Sequence, residues 1–442
     1  MGQEGARVAR VNRQPLSPSG SGRRAVEAVW RIESARIVAT LARYTGDFPL
    51  AEDVAQEALA EALVTWSREG VPTNPAGWLM TVGRRRAVDA YRRRAALDER
   101  YSVVARDLGE GGVAAGSAPE GGENDMPWDP DRIDDDVLAL MFISCHPMLS
   151  REAQVALTLR VLGGLTSDEI ARAFLVPTAT VQARITRAKK TLAAAQVPFV
   201  APPAHERRER LGSVLSVLYL VFTEGSTASS GSEWMRQDLA HEAIRLARIL
   251  ARLVPDEAET HGLLALLELT AARFPARLGE NGEPVLLEGQ DRQRWDRSAI
   301  RRGRAALTVA GRTGRGLGAY GVQAAIAEVH AIAPSVGETD WERIVVLYEA
   351  LGRLAPSPIV ELNRAVAVSM ATGPAAALLI VDDLVAAGSL PGSYLLPSVR
   401  GELLTRLGRV DDARLQFEVA IELCENDSAR SILEGKLAAL DG

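Results

Sequence analysis

Apolar residues recur at three- and four-residue spacing along almost the whole chain, and this periodicity constrains the fold more than any other feature. Such spacing places the apolar residues on one face of an α-helix. Alternating apolar and polar runs, which would indicate strands, are not convincing anywhere in the 442 residues. The sequence therefore predicts an all-α protein.

Breaks in this periodicity divide the chain into several segments. Gly, Pro and like charges cluster between residues 109 and 136, and prolines cluster again at 198–203. A composition of this kind buries too little apolar surface to offset the entropy of ordering. The predicted segments are a disordered tail (1–22), a helical domain (23–97), an acidic flexible linker (98–132), a second helical domain (133–196) and a helical extension (204–442).

The formal net charge of −6 is unevenly distributed. Taken as an average, it argues against nucleic-acid binding, which usually goes with a basic chain. Resolved by segment, a block of +3 (residues 23–97) and a block of +4 (137–195) flank a stretch of −9 (98–136). The two basic blocks are therefore candidates for contact with a polyanion.

The remaining composition excludes several other classes of protein. Two cysteines, Cys145 and Cys424, cannot form a disulfide framework or a four-cysteine zinc site. No apolar run approaches the roughly 18 residues of a membrane span, and no secretory signal is visible. We expect a cytoplasmic protein that does not bind membranes.

The first basic domain holds an acidic and amide row at helical spacing. Asp53, Gln56 and Glu57 lie beside the apolar stripe of the helix predicted for residues 51–66. The row can be a solvated helix face or a binding surface, and spacing alone does not decide between them.

A second helix of this domain is strongly basic. It is predicted to begin at Pro75, where a missing N–H costs nothing, and it carries six arginines against a single acid, Asp89. Asp89 lies four residues from Arg85 and can pair with it. An exposed charged helix end is the alternative to phosphate recognition, for which arginine is well suited.

The second basic domain has the pattern of a helix-turn-helix. A capping box at Thr166–Glu169 begins a short helix, residues 175–177 interrupt it, and a longer basic helix follows from Thr178 to Ala195. The stripe expected to pack inward consists of Val181, Ile185, Ala188 and Leu192. A recognition helix needs such an apolar anchor and hydrogen-bond donors for the major groove on the other side. A coincidental set of packed helices is the alternative.

These two blocks resemble regions 2 and 4 of the extracytoplasmic-function sigma factors of the sigma-70 family. The resemblance rests on AEDVAQEAL, NPAGWLMTVGRRRAVDAYRRR and ALTLRVLGGLTSDEIARAFLVPTATVQARITRAKK, and it covers residues 25–195. Arg85, Ala179 and Ala183 depart from the residues usual at those positions, which leaves the promoter sequence open.

The resemblance implies partners for each block. Region 2 would dock on the β′ clamp helices of core RNA polymerase, and region 4 would meet the β flap. The implied polymerase contacts are Asp53, Gln56 and Glu57. The implied contacts with the −10 element are Trp66, Arg84, Arg85, Asp89 and Arg92. The implied contacts with the −35 element are Thr178, Thr180, Gln182, Arg184, Arg187 and Lys189.

The extension contains repeat-like helix pairs, clearest at residues 357–384 and 397–423, whose small and large residues follow tetratricopeptide offsets. The whole chain resembles the sigma-factor subgroup with such an extension, which implies a regulatory role and possible contact with regions 2 or 4. Alternating Asp and Arg beside Trp295 could bind a ligand or form a buried ion-pair network.

The sequence thus predicts an alternative sigma factor that recruits core polymerase to promoter DNA, without catalysis, metal or cofactor. The alternatives are a helical-repeat interaction scaffold and a ligand sensor, neither of which would direct promoter-specific initiation.

Overall fold

The computed structural model describes residues 18–107, 130–174, 176–226, 235–279, 284–313 and 316–441. Within these ranges the chain forms eighteen α-helices and four short 3₁₀ segments, and the one extended pairing is an isolated bridge between Leu278 and Pro284. The prediction of an all-α fold is confirmed. None of the described helices is long and apolar enough to span a membrane.

The N-terminal half contains seven of these helices. They are α1 (Pro18–Thr45), α2 (Phe48–Glu69), α3 (Pro75–Asp107), α4 (Pro130–Ser144), α5 (Arg151–Val161), α6 (Ser167–Ala173) and α7 (Thr178–Ala194).

The C-terminal half contains the other eleven. They are α8 (Ala204–Ser226), α9 (Gln237–Leu253), α10 (Ala258–Ala271), α11 (Arg297–Thr313), α12 (Ala319–Ile332), α13 (Trp341–Leu354), α14 (Pro358–Ala371), α15 (Pro374–Ala386), α16 (Leu395–Arg406), α17 (Val410–Leu423) and α18 (Asp427–Ala438).

Helix ends differ from the predicted segment boundaries in three places, one of which is the start of α4 at Pro130, inside the predicted linker. Helix α1 begins inside the predicted tail, at Pro18, and α3 continues to Asp107, well into the predicted linker. Residues 98–107 contain neither Gly nor Pro, so local helix propensity can extend α3 beyond its buried stripe. The rest of the predicted linker up to residue 129, and residues 1–17, lie outside the described residues.

The chain divides into two compact units. The first comprises Met1–Ser144, Leu157–Thr166 and Ile185–Pro202, and the second comprises Cys145–Ala156, Ser167–Arg184 and Pro203–Gly442. Region boundaries in the sequence therefore do not coincide with the units. Helix α7 contributes residues to both.

In the first unit, α1, α2 and α3 pack on one another through a buried apolar core that includes Ile37, Val38 and Leu41. The α1–α2 turn uses Gly46 at φ +62°, and the Asp47 side chain caps α2 by accepting a hydrogen bond from the Leu50 amide at 2.9 Å. Helices α1 and α3 come so close that a Cβ at Gly83 would lie 2.8 Å from Leu41.

In the C-terminal half, which belongs to the second unit, most helices pack on the helix that follows them in sequence. Its repeat-like part has a core in which Ala365, Ala377, Ala413 and Ala420 are buried around Phe417. A Cβ at Gly401 would lie 2.9 Å from the ring of Phe417. Small residues thus permit close helix approach at the positions where the repeat pattern places them.

Candidate nucleic-acid interface

The acidic row of α2 lies at the surface of the first unit. Asp53 and Glu57 are exposed and Gln56 is half-buried. The preceding residue, Glu52, is only 3% exposed. Successive residues of a helix point in different directions, so Glu52 points inward while Asp53 and Glu57 face solvent. The exposed side chains of Asp53 and Glu57 are accessible to solvent, although Asp53 also contacts Lys189.

The arginines of α3 reach across to α2. Arg85 and Arg86 hold Glu61 at 2.6 and 2.7 Å, and Arg86 also lies 3.8 Å from Glu57. Hydrogen bonds from Arg86 and then Arg85 lower the pKa of Glu61 below its ordinary value of 4.5. Arg85 therefore pairs between helices, and the expected pairing along α3 with Asp89 is not formed.

The other predicted −10 residues on α3 differ in exposure. Arg92 is exposed, Asp89 is half-buried, and the guanidinium of Arg84 lies 5.7 Å from the centre of the Tyr44 ring. Arg84 is thus held against α1 by a cation–π contact. Of these three side chains, Arg92 is the most accessible to DNA.

Of the two tryptophans near the α2–α3 loop, the implied −10 contact Trp66 is the more deeply buried. Trp66 is 2% exposed, and its ring packs edge-on against Trp78 with 5.5 Å between the centroids. Trp78 is only partly buried. A base cannot stack on Trp66 in this arrangement, whereas Trp78 keeps part of its surface accessible. Proximity to a polar loop in sequence did not indicate which ring would be covered.

Helix α7 has the two faces that a recognition helix needs. Val181, Ile185, Ala188 and Leu192 are all buried, as the sequence predicts. On the other side Gln182 and Arg187 are exposed, and Thr178, Thr180 and Arg184 are partly buried. The Thr178 hydroxyl donates to Asp168 on α6 at 2.8 Å, so this hydrogen bond joins the two helices of the helix-turn-helix.

Lys189, a predicted −35 residue, forms part of an ion-pair cluster in the first unit. Its Nζ lies 2.7 Å from the buried Glu52 and also contacts Asp53. Arg160 of α5 lies 3.3 Å from the second oxygen of Glu52. Burial lowers the pKa of Lys189, but the attraction of Glu52 and Asp53 outweighs this effect and raises it overall.

This cluster joins residues to which the sequence assigns separate partners. Asp53 is a predicted polymerase contact and Lys189 a predicted DNA contact, yet here they bind each other. Glu52 and Arg160 did not figure among the predicted residues. The only available signal was an extra carboxylate on the inward side of α2, which requires a cation once it is buried.

Comparisons with known families agree with the geometry. Sigma-70 region 2 matches residues 31–96, Sigma-70 region 4 matches residues 139–192, and a family of unknown function (DUF6596) matches residues 210–311. The first two matches cover α2, most of α1, the basic part of α3, and the helix-turn-helix.

An all-helical chain with these two regions in this order is a promoter-recognition subunit of bacterial-type RNA polymerase. The protein belongs to the sigma-70 family of sigma factors and carries a C-terminal extension. Sigma-70 regions 2 and 4 imply binding to core RNA polymerase and to promoter DNA, and thus a role in promoter-directed transcription.

This chain is similar to another bacterial protein over most of the length of both. An uncharacterised protein of Rhizobium meliloti (strain 1021) is 44% identical over 405 residues, which cover 90% of this chain and 91% of the relative. The similarity therefore extends through the C-terminal half as well as through the two sigma regions.

Proposed function

We propose that this protein is an extracytoplasmic-function sigma factor that directs core RNA polymerase to a limited set of promoters in the cytoplasm. The observation that carries the proposal is the division of α7 into a buried apolar stripe and a polar face with exposed Gln182 and Arg187, within a matched region 4. This division is what insertion into a major groove requires.

In the proposed initiation complex, region 2 provides two surfaces. The exposed Asp53 and Glu57, with Gln56, would dock on the β′ clamp helices, and docking would require Asp53 to leave Lys189. Arg92 and the accessible part of Trp78 would face the melted −10 strand, since phosphates attract arginine and unstacked bases stack on aromatic rings. Region 4 would meet the β flap and read the −35 element through α7.

The test is transcription in vitro with core RNA polymerase on promoters found by mapping transcript starts after expression. Replacing Arg184 and Arg187 together by Ala should lower −35-dependent initiation by about tenfold or more, because each base-edge contact contributes about 1–3 kcal/mol. A phosphate contact would instead appear as a shallower dependence of DNA binding on salt.

The matched control is Arg312→Ala, which removes one exposed arginine from α11. It should leave initiation unchanged. Unaltered −35-dependent transcription by a folded Arg184→Ala/Arg187→Ala protein would refute the assignment of α7. Absence of promoter-specific initiation by the unaltered chain would favour a scaffold or a sensor over a sigma factor.

We further propose that the extension regulates initiation through contact with region 4. The support is a hydrogen bond in the second unit from Arg151, at the start of α5, to the Ser216 hydroxyl of α8. Arg151 belongs to matched region 4 and Ser216 to the matched family of unknown function. A change in the extension could thus reach the helix that supports the helix-turn-helix.

A further inference from the structure

Three consecutive arginines of α3 have three different environments. The guanidinium of Arg84 lies 5.7 Å from the centre of the Tyr44 ring. Arg86 contacts Glu61 at 2.7 Å, and 38% of its side chain is exposed. Arg85 is the most accessible of the three, with 59% of its side chain exposed. Arg85 is therefore the member of this run that a partner can most readily reach.

Glu61 of α2 divides its two carboxylate oxygens between two arginines. Oε1 accepts from Nη2 of Arg85 at 2.6 Å, and Oε2 accepts from Nη2 of Arg86 at 2.7 Å. These hydrogen bonds lower the pKa of Glu61 below 4.5, so the carboxylate is ionised at neutral pH. Hydrogen bonds between charged groups are shorter and stronger than neutral ones. Glu61 thus holds the guanidinium of Arg85 in one orientation.

The contact with Glu61 leaves most donors of Arg85 unused. A guanidinium carries five N–H donors in a fixed planar fork. Nη2 donates to Glu61, whereas Nη1 and Nε of Arg85 have no acceptor in the part of the chain that the structure describes. Arg85 therefore retains neighbouring donors for a second partner.

Arg85 lies on the face of α3 that carries other proposed −10 contacts. At about 100° per residue, Trp78, Arg85 and Arg92 fall within about 40° of one another around the helix. Each is separated from the next by about 10 Å along the helix axis. Trp78 is partly buried, and Arg85 and Arg92 are exposed. A strand that follows this face from Trp78 to Arg92 therefore passes Arg85.

A guanidinium held by a carboxylate suits a base better than a phosphate. A phosphate attracts an exposed arginine such as Arg92 mainly through charge. Part of the charge of Arg85 is balanced by Glu61, and its donors are held in one orientation. Base recognition depends on orientation, because the donors and acceptors of a base edge have fixed positions. The pairing with Glu61 thus favours a base as the partner of Arg85.

We propose that Arg85 selects a guanine in the −10 element and that Glu61 is the residue that positions it. N7 and O6 of guanine are neighbouring acceptors, which match two neighbouring N–H groups of a guanidinium. Adenine presents N7 beside an amino group, and this donor opposes the donors of arginine. The specificity of Arg85 rests on the proposed function, because it belongs to the −10 surface of region 2.

The test is initiation in vitro by the full chain with core RNA polymerase, on a promoter found by mapping transcript starts. Each position of the −10 element is replaced in turn by the other three bases. One guanine should be required. Its replacement by adenine should lower initiation by about tenfold to a hundredfold, as expected for the loss of one bidentate contact with a base.

Arg85→Gln is the decisive variant. Glutamine pairs with N6 and N7 of adenine, so the ratio of initiation with guanine to initiation with adenine should fall by about tenfold or more, toward a preference for adenine. Damage to the fold does not produce such a change in preference. The control Arg93→Gln removes an exposed arginine about 100° further around the same helix and should leave the ratio unchanged.

Glu61→Gln tests the positioning role. The amide is close to the carboxylate in shape but lacks the charge that holds Arg85. The ratio of initiation with guanine to initiation with adenine should fall by about threefold to tenfold. A purely structural role of Glu61 would lower initiation equally with every base and leave this ratio unchanged, which would contradict the positioning role.

Two results would overturn the specificity of Arg85 and leave the proposed function standing. One is an equal loss with every base in Arg85→Gln, together with a shallower dependence of promoter binding on salt, which identifies a phosphate contact. The other is promoter-specific initiation that requires no guanine in the −10 element. Absence of promoter-specific initiation by the unaltered chain would instead refute the proposed function, and the specificity with it.

Discussion

At the scale of single residues, several charged side chains of the N-terminal half form ion pairs between helices. Glu61 forms ion pairs with two arginines, Glu52 with Lys189 and Arg160, and Asp53 with Lys189. Sequence spacing identified the polar rows but could not assign these pairs, because each joins residues of different helices. Which member of a row faces solvent decides which can meet DNA or polymerase.

The ion pairs of Glu61 should make the free energy of unfolding depend on pH. The carboxylate has a pKa lowered from 4.5 by Arg86 and Arg85, so its contribution is fully present above 4.5 and is lost as the pH falls through the lower folded-state pKa. Glu61→Gln should cost about 0.5–1 kcal/mol at neutral pH, since the arginines are partly exposed. The cost should fall toward zero in acid.

Urea unfolding followed by circular dichroism, at neutral pH and at steps below 4.5, measures this difference. Glu69→Gln, at an exposed position near the end of the same helix, is the control. A cost for Glu61→Gln that does not depend on pH would show that the ion pair is not its source.

At the scale of elements, α7 illustrates how one helix serves packing and recognition at once. Its apolar stripe is buried as the 3.6-residue repeat predicts. Its polar face is not uniform, because Lys189 turns toward Glu52 while Gln182 and Arg187 stay exposed. Periodicity predicts which side of a helix is apolar. It does not predict which polar residue next to the apolar stripe will form an ion pair with a buried carboxylate, as Lys189 does with Glu52.

Lys189→Met should lower the free energy of unfolding by about 1–3 kcal/mol. The substitution leaves the buried Glu52 with Arg160 alone, and an undercompensated buried charge is costly. The estimate is below that for a fully buried pair, because Arg160 remains and Lys189 retains some exposure. Unfolding in urea, followed by circular dichroism, gives the value.

The neighbouring Lys190→Met removes the same charge from an exposed position and should change stability by no more than about 0.5 kcal/mol. Equal effects of the two substitutions would mean that the Lys189 contacts do not stabilise the fold. The same two variants can be compared in DNA binding. Each removes one positive charge from α7, so an effect of net charge alone should be equal in both.

At the scale of the whole molecule, units and sequence regions divide the chain differently. Region 4 is shared between the two compact units, and the second unit also contains the entire extension. Deleting residues 204–442 would therefore remove most of a unit that includes part of region 4, and a loss of activity would be ambiguous. A single substitution within the full chain is the better probe of regulation.

Ser216→Ala removes the acceptor of the Arg151 hydrogen bond. If the extension regulates initiation through this contact, the amount of promoter-specific transcript in vitro should change by about twofold to tenfold, which corresponds to the roughly 0.5–1.5 kcal/mol of one net hydrogen bond. Ser389→Ala, between α15 and α16, is the control and should have no effect. Transcript levels identical to those of the unaltered protein would exclude regulation through this contact.

The sequence by itself determined the helical class, the stripe that α7 buries and the resemblance to sigma-70 regions 2 and 4, which the family matches confirmed. Those properties depend on local spacing, on capping and on Gly and Pro. Tertiary structure alone decided that Trp66 is covered while Trp78 is partly open, that Lys189 binds Glu52 and Asp53, and that Arg273 and Arg292 lie against the ring of Trp295. Each of these depends on which side chains meet after distant helices pack, and the periodicity of a single helix carries no information about that.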